Sequence, residues 1–255
     1  MSVTVAFNEE LTRASLVFEH PTGNVLTSEI VACLRTAMED LSESPHLRLV
    51  TLEGAGQDFS FGASIPEHRA EEIARVLPEM HALVLDVLSL PVPTAAIVRG
   101  RCLGGGFELA LACDFIFAAD TATFGLPEIA LGVFPPAATV LLPRRVGAAR
   151  ATSAILTGQT RPAGDWWESG QLEQVVPDTK LADAVAQWFS ATLACRSAES
   201  LRHAVRATRA PLVSAAAEEL PVAERLYLQE LMRSHDASEG VQAFLEKRAP
   251  RWKDR

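Results

Sequence analysis

The first part of the chain alternates between strand-like and helix-like hydrophobic patterns. Val3–Val5 and Ser15–Phe18 alternate apolar and polar residues in the manner of strands, and turn residues follow at Pro21 and Gly23. After Ser28, apolar residues recur every three or four positions, which predicts a helix that Ser28 caps. The apolar face of this predicted helix consists of Ile30, Leu34, Met38 and Leu41.

Further along, uninterrupted apolar runs alternate with helix-forming segments. Leu47–Leu52, Thr94–Val98 and Phe115–Ala118 predict buried strands, because each is a short apolar run bounded by turn residues. A long helix over residues 67–89 and a short one over Phe107–Ala112 separate these runs. Strand, loop and helix therefore repeat between residues 47 and 160, which predicts an α/β fold of stacked turns.

The last third of the chain has a different pattern. From Asp178 onward the sequence predicts helices only, with breaks near Pro211 and Pro221. We therefore divide the chain into an α/β core over residues 1–195 and a helical C-terminal region over residues 196–255.

Charge and composition exclude several classes of protein. The net charge of −9 argues against nucleic acid as the main partner, because phosphate recognition needs a basic face. No apolar run approaches the roughly 20 residues of a membrane helix. The first ten residues lack a basic and then apolar leader, so we expect a cytoplasmic protein without a membrane partner. The four cysteines form no Cys-x-x-Cys pair, which argues against disulfides and a zinc site.

A glycine cluster and a glutamate stand at the start of the short helix. Gly104, Gly105 and Gly106 allow backbone N–H groups to approach a ligand, although glycines also serve close packing of a helix on a strand. Glu108 follows within a run of apolar residues, where an unpaired carboxylate is costly to bury. We therefore interpret Glu108 as a candidate general acid–base rather than a solvated surface acid.

Glu128 is the second candidate. It follows Pro127 at a predicted turn or helix start, where the helix dipole alone already favours an acid. A strand separates Glu128 from Glu108, so the two carboxyls can face one cavity. Such a pair suits a reaction that needs both a held water and a proton donor.

The loop Asp58–Ile65 leaves a buried strand through small residues, so its N–H groups are free to donate. The amides of Ala63 and Gly105 together predict a two-donor oxyanion hole for a thioester carbonyl. The alternative is that this loop is an ordinary connection.

These segments, in this order and spacing, resemble the crotonase (enoyl-CoA hydratase/isomerase) superfamily. The motifs are Gly-Gly-Gly-x-Glu-Leu-Ala at Gly104–Ala110, the pair Cys113-Asp114, and Phe-Gly-x-Pro-Glu-Ile-x-Leu-Gly at Phe124–Gly132. The resemblance covers nearly the whole chain. It implies an α/β spiral of repeated ββα units, with a helical C-terminal region that assembles a homotrimer or a dimer of trimers.

The resemblance also implies the roles of site residues. It implies that the substrate is an acyl-CoA thioester and that the reaction needs no metal or redox cofactor. Coenzyme A enters as part of the substrate. Ala63 and Gly105 match the oxyanion hole, and Glu108 and Glu128 match the two glutamates of hydratases, which favours hydration over isomerisation. Further contacts to the substrate are expected from Ser60, Phe61, Gly62, Ser64, Ile65, Gly104 and Phe134, and a contact to a coenzyme A phosphate from Lys247.

Two short segments narrow the resemblance to one branch. Phe59–Ser64 and Pro136–Pro143 are similar to cyclohexa-1,5-diene-1-carbonyl-CoA hydratases of anaerobic aromatic degradation. Ser64 stands where most members have Asp, and Pro136 stands where dienoyl-CoA isomerases place an acid. We therefore expect a hydratase for a cyclic dienoyl thioester.

Three alternatives stay open. The first is a straight-chain 2-enoyl-CoA hydratase, and the second is an enoyl-CoA isomerase with Glu128 as its sole acid–base. The third, from another class, is a catalytically silent relative that binds coenzyme A or RNA. His68 and His81 lie on the long predicted helix at the edge of the acyl pocket, and helix packing is favoured for both over contact with substrate.

Overall fold

The structure, a computed structural model, describes residues 2–255, except for the side chains of residues 70 and 71. The strands are β1 (Ser2–Phe7), β2 (Arg13–Glu19), β3 (Leu49–Gly54), β4 (Thr94–Val98), β5 (Arg101–Leu103), β6 (Phe115–Ala119), β7 (Thr123–Gly125), β8 (Arg161–Pro162) and β9 (Gln174–Val176). The α-helices are α1 (Ser28–Ser42), α2 (Ala70–Ser89), α3 (Gly105–Ala112), α4 (Pro136–Val146), α5 (Ala148–Thr157), α6 (Ala163–Trp167), α7 (Leu181–Thr192), α8 (Ala198–Arg225) and α9 (His235–Leu245). Short 3-10 turns occur at Ile65–His68, Pro127–Leu131, Asp178–Lys180 and Leu231–Arg233, and a π-helical segment at Leu226–Glu230.

Two sheets form the α/β part. The larger has the order β1-β2-β3-β4-β6-β9, in which β1 and β2 are antiparallel and all later neighbours are parallel. The smaller has the order β5-β7-β8. Strand β4 is buried along its whole length, as expected for a parallel strand covered on both faces. The predicted α/β spiral is therefore confirmed, and the strand predicted at Thr94–Val98 has the observed bounds.

The start of α1 differs from the prediction. Thr27, not Ser28, is the cap: its hydroxyl accepts a hydrogen bond from the amide of Ile30. Ser28 is the first helical residue, and its hydroxyl donates to Glu67 at 2.7 Å. Because Glu67 lies in the 3-10 turn Ile65–His68, this bond ties the start of α1 to the loop that carries Ala63.

The predicted breaks near Pro211 and Pro221 are wrong, since α8 runs unbroken through both prolines. Proline removes the hydrogen bond to the carbonyl four residues earlier, here that of Ala207 or Ala217. Both prolines and both alanines are exposed. Water can therefore donate a hydrogen bond to each carbonyl that lacks its helical N–H partner, so the helix continues.

Arg209 of α8 joins the C-terminal helices to the α/β part. Its guanidinium is buried and donates to the carbonyls of residues 87, 88, 90 and 92 at 2.7–3.1 Å. It also pairs with Asp114, whose carboxylate accepts the Thr94 amide. Leu220 of α8 belongs to the same buried cluster as the large sheet. The division at residue 195 falls between α7 and α8 and stays a prediction about folding units.

No helix within residues 2–255 has the length and apolar character needed to cross a bilayer.

Candidate active site

Glu108 lies in the first turn of α3 and is 5% exposed. Its Oε1 accepts a hydrogen bond of 2.8 Å from the amide of Ala138. Ala138 stands in the first turn of α4, where Pro136 occupies the opening position. Amides at the start of a helix are free of intrahelical partners and carry partial positive charge. The segment after Phe134 therefore orients the Glu108 carboxyl.

Glu128 approaches the same place through a gap that Gly104 leaves. Gly104 has a positive φ of 50°, which glycine adopts without strain. A Cβ at this position would lie 2.5 Å from Oε1 of Glu128. Glu128 itself is the second residue of the 3-10 turn Pro127–Leu131. Glycine is therefore required at position 104 for two reasons, its backbone conformation and the room it leaves for the carboxylate.

The amides of Ala63 and Gly105 are neighbours. The loop around Ala63 is held by Leu26, which donates to the Gly62 carbonyl at 2.9 Å and accepts from the Ser64 amide at 3.2 Å. No acceptor for the Ala63 N–H lies in the described part of the chain. Gly105 is the first residue of α3, so its N–H has no acceptor within the helix. A Cβ built on Gly105 would lie 3.3 Å from the Ala63 nitrogen, so the two residues are in close contact.

These groups meet at one cavity of about 40 Å³. Its lining comprises Ala63, His68, Ile73, Val76, Leu77, Met80, Gly105, Glu108, Glu128, Phe134, Pro135, Pro136 and Tyr227. A water needs roughly 10–15 Å³, whereas ligand pockets measure about 300–1,000 Å³. The cavity therefore has room for water beside the carboxyls, and its wall has to move before an acyl group can enter.

Burial shifts the titration of both carboxyls. Loss of hydration raises the pKa of Glu108 to about 7, against the lowering effect of the amides of Ala138 and Ala137. Loss of hydration, followed by repulsion from Glu108, raises the pKa of Glu128 to about 8. Oε2 of Glu128 is buried and has no hydrogen-bond partner among the described residues. Near neutral pH such a pair holds one proton between its two members.

Of the predicted site residues, the structure brings five to the cavity: Ala63, Gly105, Glu108, Glu128 and Phe134. Gly62, Ser64 and Ile65 lie in the adjoining loop, outside the lining. Phe61 packs its ring against Gly23 and under the guanidinium of Arg101. Lys247 is exposed at the end of α9, and its contact with a coenzyme A phosphate stays a prediction.

The Ser60 hydroxyl is bonded within the protein, and its contact with substrate stays a prediction. Ser60 is fully buried, its hydroxyl donates to the Asn24 carbonyl at 2.8 Å, and it accepts the Gly62 amide at 3.0 Å. Since both bonds are internal, Ser60 shapes the loop that presents Ala63.

The two histidines separate in role. His81 is buried and lies 3.0 Å from Glu224 of α8 through its Nδ1, as expected for a helix-packing residue. His68 lines the cavity and donates from Nδ1 to the Ser64 carbonyl at 2.8 Å. Burial lowers the pKa of His68, so its imidazole is mostly neutral near pH 7.

Comparison with known proteins shows the family of the chain. The sequence model of the Enoyl-CoA hydratase/isomerase family matches residues 11–255. The chain belongs to this family. It is 43% identical over 235 residues to the cyclohexa-1,5-dienecarbonyl-CoA hydratase of Thauera aromatica, covering 92% of this chain and 90% of that protein. It is 32% identical to the carnitinyl-CoA dehydratase of Salmonella typhi, covering 94% of each.

Solved structures lead to the same family. The crystal structure of an enoyl-CoA hydratase from Mycobacterium avium subsp. paratuberculosis superposes with a TM-score of 0.87 at 28% identity, covering 99% of this chain and 98% of that one. The fold expected from the crotonase resemblance is therefore confirmed.

Part of the cavity of this enoyl-CoA hydratase/isomerase family member could not be predicted from the sequence. Ile73, Val76, Leu77 and Met80 follow the helical spacing of α2 and could not be told from ordinary core residues. Tyr227 comes from the C-terminal helices, about 100 residues after Glu128 in sequence. The sole sequence signal for Tyr227 was that the chain contains no other tyrosine.

Proposed function

We propose that the protein adds water to the carbon–carbon double bond of an α,β-unsaturated acyl-CoA thioester. As a family member it is an enzyme of the enoyl-CoA hydratase type, acting on acyl-CoA thioesters. The observation that carries the proposal is the single cavity in which Glu108 and Glu128, both with a raised pKa, adjoin the amides of Ala63 and Gly105.

The two amides account for the activation of the thioester. When water attacks the β-carbon, negative charge builds on the thioester oxygen as an enolate forms. We assign the stabilisation of that charge to the N–H groups of Ala63 and Gly105, and the adjacency of the two residues supports this role. Loss of one such donor typically costs about 3 kcal/mol of transition-state stabilisation.

The carboxyl pair accounts for the proton transfers. The amide of Ala138 donates to the Glu108 carboxylate and favours its ionised form, whereas Oε2 of Glu128 has no hydrogen-bond partner among the described residues. We therefore assign the proton of the pair to Glu128. Water gives a proton to Glu108 as its oxygen bonds to the β-carbon, and Glu128 gives its proton to carbon. The pair ends with the same total charge and one proton, now on Glu108. A matched pKa near neutrality serves both transfers.

For the acyl group, we propose a cyclic dienoyl thioester as used in aromatic degradation. The support is the 43% identity to a cyclohexa-1,5-dienecarbonyl-CoA hydratase, compared with 32% to a carnitinyl-CoA dehydratase. Phe134, Pro135 and Pro136 form one side of the cavity, and the two prolines restrict the backbone there.

The test uses ultraviolet absorbance of the conjugated thioester, with cyclohexa-1,5-diene-1-carbonyl-CoA and crotonyl-CoA in parallel. The proposal predicts fast loss of the conjugated band with the cyclic diene alone. Fast loss with crotonyl-CoA instead indicates a straight-chain hydratase. No change with either refutes hydration of these classes and favours an isomerase or a silent binding protein.

Assembly and location stay predictions of the resemblance. A homotrimer or a dimer of trimers is checked by the molar mass in solution, and a cytoplasmic location by fractionation.

A further inference from the structure

Tyr227 occupies an unusual place in the cavity. It lies in the π-helical segment Leu226–Glu230 that extends α8, and its side chain is 1% exposed. Its ring packs edge-on against Phe134, with the ring centroids 5.4 Å apart. Single π-helical turns within α-helices are rare and frequently occur at functional sites. Here the turn brings a C-terminal side chain to the two carboxyls.

The hydroxyl of Tyr227 makes no hydrogen bond within the described part of the protein. It is buried and has no hydrogen-bond partner there, and the same is true of Oε2 of Glu128 in the same cavity. A buried hydroxyl without a partner costs about 1–3 kcal/mol. Phenylalanine would fill the same space and make the same contact with Phe134 without that cost. Packing therefore explains the ring of Tyr227 and leaves its oxygen unexplained.

The surroundings restrict what the hydroxyl can do. The titratable side chains that line the cavity with it are Glu108, Glu128 and His68, and the rest of the described lining is apolar or backbone. Burial, together with the nearby charges of Glu128 and Glu108, raises the pKa of the Tyr227 phenol above its usual value. The phenol thus stays protonated and acts as a donor. The hydroxyl has no hydrogen-bond partner among the described residues, so the acceptor available to it is a molecule bound in the cavity that Tyr227 lines.

We propose that the Tyr227 hydroxyl donates a hydrogen bond to the oxygen transferred in the reaction, first as water and then as the product's β-hydroxyl. Tyr227 makes no net proton transfer: the water proton passes to Glu108 and the carbon receives the proton of Glu128. Its contribution is to hold the oxygen in line with the β-carbon between the carboxyls. This inference rests on the proposed function and adds a third catalytic side chain to it.

The first test measures binding without turnover. Dissociation constants are determined for two pairs of thioesters that differ by one β-hydroxyl, butyryl-CoA with 3-hydroxybutyryl-CoA and cyclohexanecarbonyl-CoA with 2-hydroxycyclohexanecarbonyl-CoA. A Glu108→Gln background prevents dehydration. Adding Tyr227→Phe is expected to weaken binding of the hydroxylated thioester of each pair by about 5–10-fold, which corresponds to one neutral hydrogen bond. Binding of the thioester without the hydroxyl should not change. Phe134→Leu, the matched control for the cavity wall, is expected to weaken both members alike.

The second test measures turnover. In an otherwise unaltered enzyme, Tyr227→Phe is expected to lower kcat at least about tenfold with little change in KM, because the bond to the oxygen tightens in the transition state. A thermal unfolding midpoint no lower than that of the parent excludes a folding defect.

The outcomes separate the two proposals. An unchanged ratio of hydroxylated to unhydroxylated affinity in Tyr227→Phe, or an unchanged kcat, overturns the role of Tyr227 and leaves hydration intact. Failure of the parent enzyme to bind any of the four thioesters overturns the proposed function, and the role of Tyr227 with it.

Discussion

Replacing Glu128 by glutamine is expected to stabilise the protein at alkaline pH while it removes activity. The pKa of Glu128 is about 8 in the folded state and 4.5 as a free side chain. Between these values the folded state binds more protons than the unfolded state. The stabilisation that comes from proton binding by Glu128 is therefore fully present below pH 4.5. It decreases as the pH rises and is lost once the pH has passed through about 8. Glutamine, which does not ionise, removes this loss.

The size of the effect follows from the shift. One pKa unit corresponds to about 1.4 kcal/mol, so full ionisation of Glu128 withdraws roughly 5 kcal/mol from the free energy of unfolding. Between about pH 5 and pH 9 the difference is on the order of 4 kcal/mol. For a chain of this size, 1 kcal/mol shifts Tm by about 2–4 °C. Even a quarter of the effect is therefore measurable.

The assay is thermal unfolding of the parent and of Glu128→Gln at both pH values and one protein concentration. We expect a higher Tm for the variant at pH 9, a small difference at pH 5, and a loss of turnover of about 10²–10⁴-fold. Glu39→Gln, at an exposed glutamate of α1, is the matched control and should show no such pH dependence. A Glu128→Gln variant that unfolds earlier than the parent at pH 9 would refute a buried, pKa-shifted carboxyl.

Three further predictions test separate parts of the structure. The pH profile of kcat/KM should be bell-shaped with apparent pKa values of about 7 and 8 that belong to the carboxyl pair, and a flat profile from pH 6 to 9 would contradict it. Gly104→Ala should lower kcat at least about a hundredfold, because the added methyl collides with Glu128. Gly56→Ala, at a glycine that also has a positive φ but faces open space, should lower only the stability. Equal losses of kcat in the two variants would contradict this. Arg209→Met should lower the free energy of unfolding by about 3–5 kcal/mol, because it removes the buried cation that pairs with the half-buried Asp114 and leaves several carbonyls without a donor. A loss no larger than that of the exposed Arg206→Met would contradict this.

The candidate catalytic groups were predictable because they break local rules. Glu108 is an acid in an apolar run, and three adjacent glycines are costly unless something must come close to the backbone. The structure places a carboxylate against Gly104 and an amide against Gly105. The strands were predictable for a simpler reason, since parallel strands covered on both faces need continuous apolar runs.

The rest depended on tertiary contacts that local patterns do not contain. The continuity of α8 follows from Pro211 and Pro221 being exposed, which a list of prolines does not reveal. The internal bonds of Ser60 depend on Asn24, which lies in another loop. Tyr227 reaches the cavity through a π-helical segment, and the surrounding hydrophobic spacing resembles that of any buried helix.

The most direct test of the account is the conversion of an unsaturated acyl-CoA thioester in oxygen-18 water, followed by mass spectrometry. We predict a product that has gained one water with labelled oxygen, formed at least about a hundredfold more slowly by Glu108→Gln. A product of unchanged mass, or equal rates for parent and variant, would contradict hydration by the two glutamates.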